Sequence, residues 1–422
     1  MTNERDGRPV VRTLVIVAGL LGATVVMAAA VGGPIGTVAA QDDGTTAAEG
    51  AEAGEDEKEG FEEVIQEWLE EQGLAIAAAV LLIGGALLIV FVEKLISYLS
   101  RAAMGLGVSV FSLAILFTGF EFDDTILAIV FASGGLKDVA LGTALGTALA
   151  IGGITLAVAA IVQPFSVRIP RDYLALLVVS PLVLVPLVLL GKLTAVHGVV
   201  LIALFGVFLG YVFWMEHRRD VPVFRDSEVL AEDGAEILED VRTDGGVTPS
   251  DRLEPITEDR YVEQLSYASY AWLGLALVAL AGVVAGSVLI ETSSELIVEE
   301  TGLEETVFGA TVITVLLTFE NVLLTLEPVR RGIPEIGIGH VVGSVVFSVT
   351  ANIGVILLFA DLTIGSSVLY FHLPALLIVT ALGAYAVATG RVRRRHGIAL
   401  GVLYVVYWAI ALGVFGNVPI AG

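Results

Sequence analysis

Apolar runs close to the length needed to cross a bilayer recur along the chain, each closed by a short polar stretch. A membrane-crossing helix needs about 20 predominantly apolar residues. The pattern after residue 72 predicts ten such spans, at 73–93, 106–133, 138–163, 172–191, 195–215, 267–290, 304–328, 337–360, 367–388 and 398–420. One stretch breaks the rule. Within residues 307–354, VFGATVITVLLTFENVLLTLEPVRRGIPEIGIGHVVGSVVFSVTANIG, the polar side chains of Thr318, Glu320 and Asn321 interrupt the apolar run. A charge at that depth costs about 2.5–3.5 kcal/mol on insertion scales, so it requires a function or a partner.

The ends and loops set the frame for these spans. Arg5, Arg8 and Arg12, an apolar run from Leu14 to Ala30, and the small residues before Gln41 predict a secretory signal or signal anchor over residues 1–40. Residues 41–72 read as an acidic external tail. Its first part has too few large apolar side chains to offset ordering, and Phe61, Val64, Ile65, Trp68 and Leu69 then recur at the spacing of a short interfacial helix. Basic residues collect on the cytoplasmic side of membrane proteins. Lys94 and Arg101, Arg168 and Arg171, Arg218 and Arg219, Arg330 and Arg331, and Arg391 with Arg393 to Arg395 fall in alternate loops, while the other loops hold only Lys137 and Lys192. The pattern predicts a multi-pass protein of the cell membrane with both mature termini outside. Residues 216–265, acidic and without apolar periodicity beyond a short helix near 229–238, read as a cytoplasmic linker.

The halves on either side of that linker, 73–215 and 266–422, superpose in sequence without a gap. Placing Gly142 on Gly339, an offset of 197 residues, sets Phe120–Asp124 on Leu317–Asn321 and Gly146 on Gly343. Thr143, Thr147, Ile151 and Thr155 fall on His340, Ser344, Ser348 and Asn352. Five spans separate equivalent positions, so the second copy crosses in the opposite direction. The expected fold class is an all-α integral membrane protein, ten transmembrane helices as two inverted five-helix repeats. Such repeats are typical of secondary transporters, whose substrates bind near the midplane.

Composition narrows the picture further. The chain is 56% hydrophobic with mean hydropathy +0.87, yet Asp and Glu outnumber Lys and Arg 46 to 22, a formal net charge of -24. That balance argues against nucleic acid as a partner and against a polybasic lipid footprint. It suggests adaptation to high salt, a halophile, in which self-repulsion is screened. The chain has no Cys, which excludes disulfides, thiolate metal sites and a Cys nucleophile. The five His are scattered and form no H-E-x-x-H pair, and no G-x-S-x-G elbow occurs in a convincing context, so an enzyme is not expected.

The second repeat resembles the alpha-repeat of the cation/calcium exchanger superfamily, the sodium/calcium exchangers. The residues that carry the resemblance are Val307–Thr311 (VFGAT), Leu316–Asn321 (LLTFEN), Arg330–Gly332 (RRG) and Gly339–Ser348 (GHVVGSVVFS). The first half shares it through the repeat. Where the family has a helix-breaking Pro, this chain has Asp123 and Glu320; where it has an ion-binding Glu, this chain has Asp124 and Asn321. The family's neighbouring Ser is Glu121 in one half and Thr318 in the other. Ser344 keeps the Ser of the second motif, Thr147 is a conservative match, and the Asn positions are Ile151 and Ser348.

Hard cations such as Ca2+ and Na+ take oxygen ligands, and the candidate ligands are Glu121, Asp123, Asp124, Thr147, Thr318, Glu320, Asn321, Ser344 and Ser348. Glu121 and Asp124 share a helix face, as do Thr318 and Asn321. The expectation is that the acids and hydroxyls converge at mid-depth. Neutralising them with either of two cations would let the loaded core rock, which is antiport. The resemblance implies secondary active sodium/calcium exchange, with inorganic cations and the lipid bilayer as partners and no cofactor beyond the transported ions. A cation/proton antiporter and a non-transporting membrane scaffold or sensor are the alternatives. Gly142, Gly146, Gly339 and Gly343 are read as packing positions, and His340 and His372 as polar helix ends.

Overall fold

The computed structural model describes residues 65–69, 71–105, 120–216, 256–262 and 267–416. The expected signal over 1–40, most of the acidic tail and most of the 216–265 linker, including the helix expected near 229–238, lie outside the described residues. Among the described residues, nine helices are long and apolar enough to cross a membrane. In chain order the helices are α1 (Leu74–Gly105), α2 (Phe122–Ser133), α3 (Lys137–Val162), α4 (Arg171–Leu189), α5 (Ala195–Glu216), α6 (Ala268–Thr301), α7 (Glu305–Arg330), α8 (Pro334–Phe359), α9 (Val368–Ala388) and α10 (Arg394–Phe415). The second span, expected at 106–133, is described from residue 120 onward as α2.

The boundaries follow the apolar runs except in α1 and α6, expected to end at 93 and 290 but continuing to Gly105 and Thr301. A 34-residue helix is about 51 Å long, well beyond the roughly 30 Å of hydrocarbon. The apolar pattern marks where lipid ends, whereas these helices continue because they brace each other. Gly84 and Gly286 let the two backbones touch: a Cβ on either would lie 2.9–3.0 Å from the other's carbonyl oxygen.

At one end of this pair, part of the expected linker is folded. Residues 256–262 lie along the α1 face formed by Lys94, Tyr98 and Arg101. Arg101 makes a two-pronged pair with Asp259 (Nε–Oδ1 2.7 Å, Nη2–Oδ2 3.0 Å). Tyr98 and Lys94 both donate to Glu258 Oε1, at 2.8 and 3.1 Å. The Tyr98 hydroxyl, with the Lys94 ammonium behind it, holds the Glu258 carboxyl below the ordinary glutamate range.

Among the described residues, the fold departs from all-α in four two-residue strands: β1 (Phe165–Ser166), β2 (Lys192–Leu193), β3 (Leu362–Thr363) and β4 (Arg391–Val392). β1 pairs with β4 and β2 with β3, both antiparallel. These ribbons reveal how the halves relate. α3 and α8, the π turns within them (Ile151–Thr155 and Ser348–Asn352), and β1 and β3 all coincide at the 197-residue offset. Yet β1 and β3 sit in different ribbons, separated by the length of α4. Equivalent elements therefore lie at opposite ends of the bundle, and the described parts of the two copies run in opposite directions.

Burial identifies the centre. In α3 and α8, 78% and 94% of the apolar window is enclosed by protein, against 22–33% in α1, α4, α5 and α10, which face outward. α3 also packs tightly on the start of α7. A Cβ on Gly142 would run into the Thr306 carbonyl, and one on Gly146 into Thr314 and Ala310, so both glycines have the packing role read from sequence.

Candidate functional site

The polar residues at the centre are positioned by a helix that begins within the bundle. α2 starts at Phe122, and Glu121, its N-cap, is extended (φ -95°, ψ 103°). Asp123 and Asp124 occupy the first turn, where free backbone N–H groups and the helix dipole favour negative charge. The equivalent stretch of α7 has no such break: a π turn at Gly309–Ile313 passes into regular helix through Glu320 and Asn321.

Four of the expected residues meet. Asp124 faces Glu121 and the Thr147 hydroxyl, and Glu121 faces the Ser344 hydroxyl of the other half. Asp123, buried in the first turn of α2, lies beside both acids in the chain. These contacts do not close into hydrogen bonds. Both Glu121 carboxyl oxygens, Asp124 Oδ2 and Thr147 Oγ1 are shut off from water and without a hydrogen-bond partner. No Lys or Arg forms an ion pair with these acids among the described residues. Phe347, just before Ser348, closes the region, with ring centroids 5.2 Å from Phe120 and 5.3 Å from Phe205 of α5.

The polar groups of the other half are mostly neutral and internally bonded, although Glu320 there also keeps one carboxylate oxygen, Oε2, shut off from water. Asn321 is buried, with Nδ2 donating to the Leu317 carbonyl at 3.3 Å and Oδ1 3.0 Å from His340 Nε2. Ser344 Oγ lies 3.4 Å from His340 Nδ1. A proton on Nε2 satisfies both contacts, donating to Asn321 and leaving Nδ1 to accept from Ser344. Thr318 and Ser348 turn their hydroxyl protons onto the Thr314 and Ser344 carbonyls, at 2.6 and 2.8 Å, keeping lone pairs available.

Of the four acids expected to converge, Glu121, Asp123 and Asp124 are neighbours at the start of α2, and Glu320 stands on α7 with its Oε2 shut off from water. Thr314, Leu317, Asn321 and Thr325 form the buried stripe of α7, Phe319 is 65% exposed, and Glu320 lies between these faces, half-buried. Among the described residues, no three His, Asp or Glu side chains are grouped closely enough to hold a metal by themselves. Cation binding here needs hydroxyl and amide oxygens beside the carboxylates. The reading of His340 and His372 is corrected. Neither is a helix-end residue in contact with water: His340 is in the polar line just described, and fully buried His372 has Nδ1 2.8 Å from the Tyr407 hydroxyl. Sequence reasoning also gave no role to Phe120 and Phe347; the F-E-F pattern around Glu121 was the available signal. Thr155 and Asn352, equivalent at the offset, end the two π turns with buried, unpartnered Oγ1 and Oδ1 atoms. Such turns are frequent at functional sites.

The family described as "Sodium/calcium exchanger protein" matches residues 76–214 and 270–413, which is both halves without the segment between them. The chain is 24% identical to the sodium/calcium exchanger MaX1 of Methanosarcina acetivorans over 135 residues, 32% of this chain and 39% of that protein. It is 22% identical to the inner membrane protein YrbG of Escherichia coli, over 67% of this chain and 79% of YrbG. It is 24% identical to the putative antiporter CaxA of Alkalimonas amylolytica, over 67% of this chain and 80% of CaxA. Among solved structures, the sodium-calcium exchanger NCX_Mj superposes with a TM-score of 0.47 at 18% identity, covering 80% of this chain and 99% of that one.

Proposed function

The chain belongs to the sodium/calcium exchanger family, and from that premise we propose that it is a secondary active antiporter exchanging calcium for sodium by alternating access. The observation that carries this reading is the set of buried oxygens without partners on Glu121, Asp124 and Thr147. Carboxylates held away from water with neither a cation nor a donor are strongly unfavourable. A hard cation supplies the missing partner, and oxygen donors of this kind suit Ca2+ and Na+.

In this account Glu121 and Asp124 are the principal ligands, with Thr147 and Ser344 completing the shell across the two halves. Asp123 and Glu320 add negative potential beside it, and Thr318, Asn321 and Ser348 contribute neutral oxygens. Loaded with either ion the cluster is neutralised and the bundle passes between two near-equivalent packings; unloaded, bare charge opposes that passage. The requirement for a bound ion is what makes transport an exchange. The protein lies in the cell membrane with both mature termini outside, and its acid excess suits a high-salt environment. Residues 1–40 act as signal or anchor.

The test is radiolabelled calcium uptake by the purified protein in sealed vesicles, driven first by a sodium gradient and then by a proton gradient. The expected result is sodium-driven uptake that disappears in Asp124→Asn. Uptake driven only by protons would replace sodium as the counter-ion, and no uptake under either gradient would overturn the transport reading.

A further inference from the structure

The two pseudo-equivalent ribbons carry opposite chemistry. On the ribbon formed by β2 and β3, Lys192 is paired with Asp361 at 3.1 Å. On the ribbon formed by β1 and β4, Phe165 and Val392 face inward and are buried, while Ser166 and Arg391 are opposite one another on the exposed face. The register continues through a bond from Val167 N to the Gly390 carbonyl, so by strand alternation Arg168 and Arg393 share the outward face with Arg391. Arg171 opens α4 immediately after this ribbon, and Arg394 and Arg395 open α10. All six arginines are exposed.

This assembly is unusual in a chain with twice as many acids as bases. Arg168, Arg171, Arg391, Arg393 and Arg394 form no ion pair among the described residues. Nearby carboxylates bond groups other than these guanidinium heads, one of them the ribbon's own main chain. Asp172 accepts from the Tyr211 hydroxyl, Glu327 pairs with Arg331, and Glu335 takes the main-chain N–H of Arg168 at 3.4 Å. The arginines also oppose the helices they begin: α4 and α10 both present their positive dipole ends here, where basic side chains are unfavourable. Retention of basic residues in one set of loops accounts for their side of the membrane, but not for their convergence without partners on a rigid ribbon.

An anion resolves each of these costs. Guanidinium forks bind phosphate oxygens in pairs, and helix N-termini supply further N–H donors. The ribbon's position identifies the source. It joins the ends of membrane-spanning helices, and just along those helices Ile161, Val162, Ile398 and Val402 are 40–57% exposed on the outward, lipid-facing surface. We propose that the β1–β4 ribbon is a binding site for the phosphate of an anionic membrane lipid. The proposal needs only a membrane-spanning chain and is independent of the ion exchanged.

The full-length protein in neutral detergent, at low ionic strength, is titrated with phosphatidylglycerol, phosphatidylcholine or inorganic phosphate, and retained lipid is counted by native mass spectrometry. Each Arg near a lipid phosphate is worth about fivefold, so wild type is expected to retain phosphatidylglycerol at least about tenfold better than phosphatidylcholine. The combined Arg391→Gln, Arg393→Gln and Arg394→Gln variant loses that preference, whereas Lys192→Gln on the other ribbon keeps it. Arg391→Gln alone gives a partial loss if the triple variant folds poorly. Equal retention of the two lipids by wild type, an unchanged preference in the Arg variants, or displacement of the lipid by inorganic phosphate alone would overturn the proposal.

Discussion

Asp124 and Asn321 stand at equivalent positions in the two halves, yet Asp124 presents an unpartnered carboxylate oxygen while Asn321 is held by His340. At this pair of positions the charge falls in one half and a hydrogen-bonded brace in the other. His340→Ala would strand Asn321 Oδ1 in a buried setting, a loss of about 1–3 kcal/mol. The expected outcome is a lower unfolding temperature by scanning fluorimetry, with Asn321→Ala in the same background adding much less than it does in wild type, because the two act as a pair. The carboxylates were legible in the sequence because charge in an apolar run is conspicuous. His340 was not, since its role depends on a contact 19 residues back across the α7–α8 turn, and a lone imidazole on an apolar helix carries no local signal of its partner.

At the scale of elements, the site depends on how closely α3 approaches α7. Gly146 tests this approach, because the ideal Cβ position lies 2.6 Å from the Ala310 Cα, a backbone atom that cannot swing away. Gly146→Val is expected to cost about 1–3 kcal/mol or more by overpacking and to reduce the yield of monodisperse protein on size exclusion. Gly85→Ala, whose nearest neighbour is the Leu316 side chain at 3.4 Å, should be tolerated. Most helices were legible to within a few residues from apolar length alone. The extensions of α1 and α6 were not, because they hold charged and polar residues beyond the hydrocarbon boundary. Nor were the ribbons: two residues carry no periodicity, and their pairing joins positions such as Ser166 and Arg391 that only the folded bundle brings together.

At the scale of the whole molecule, the described parts of the two copies run in opposite directions, while three of the four acids singled out, Glu121, Asp123 and Asp124, lie in one copy. The repeat was readable as an ungapped offset, and the crosswise pairing of β1 with β4 and β3 with β2 gives it direction. The uneven division of acids was readable only in part, because sequence places Glu320 one residue from Asn321 but does not say which faces inward. In the proposed exchanger the cation is held by Glu121 and Asp124, with Glu320 contributing field rather than a ligand. Calcium binding to the purified protein by isothermal titration calorimetry tests it directly. Glu121→Gln and Asp124→Asn are each expected to abolish measurable binding, while Glu320→Gln weakens it by no more than about fivefold, about 1 kcal/mol. Retained calcium binding in Asp124→Asn, or its loss only in Glu320→Gln, would contradict it.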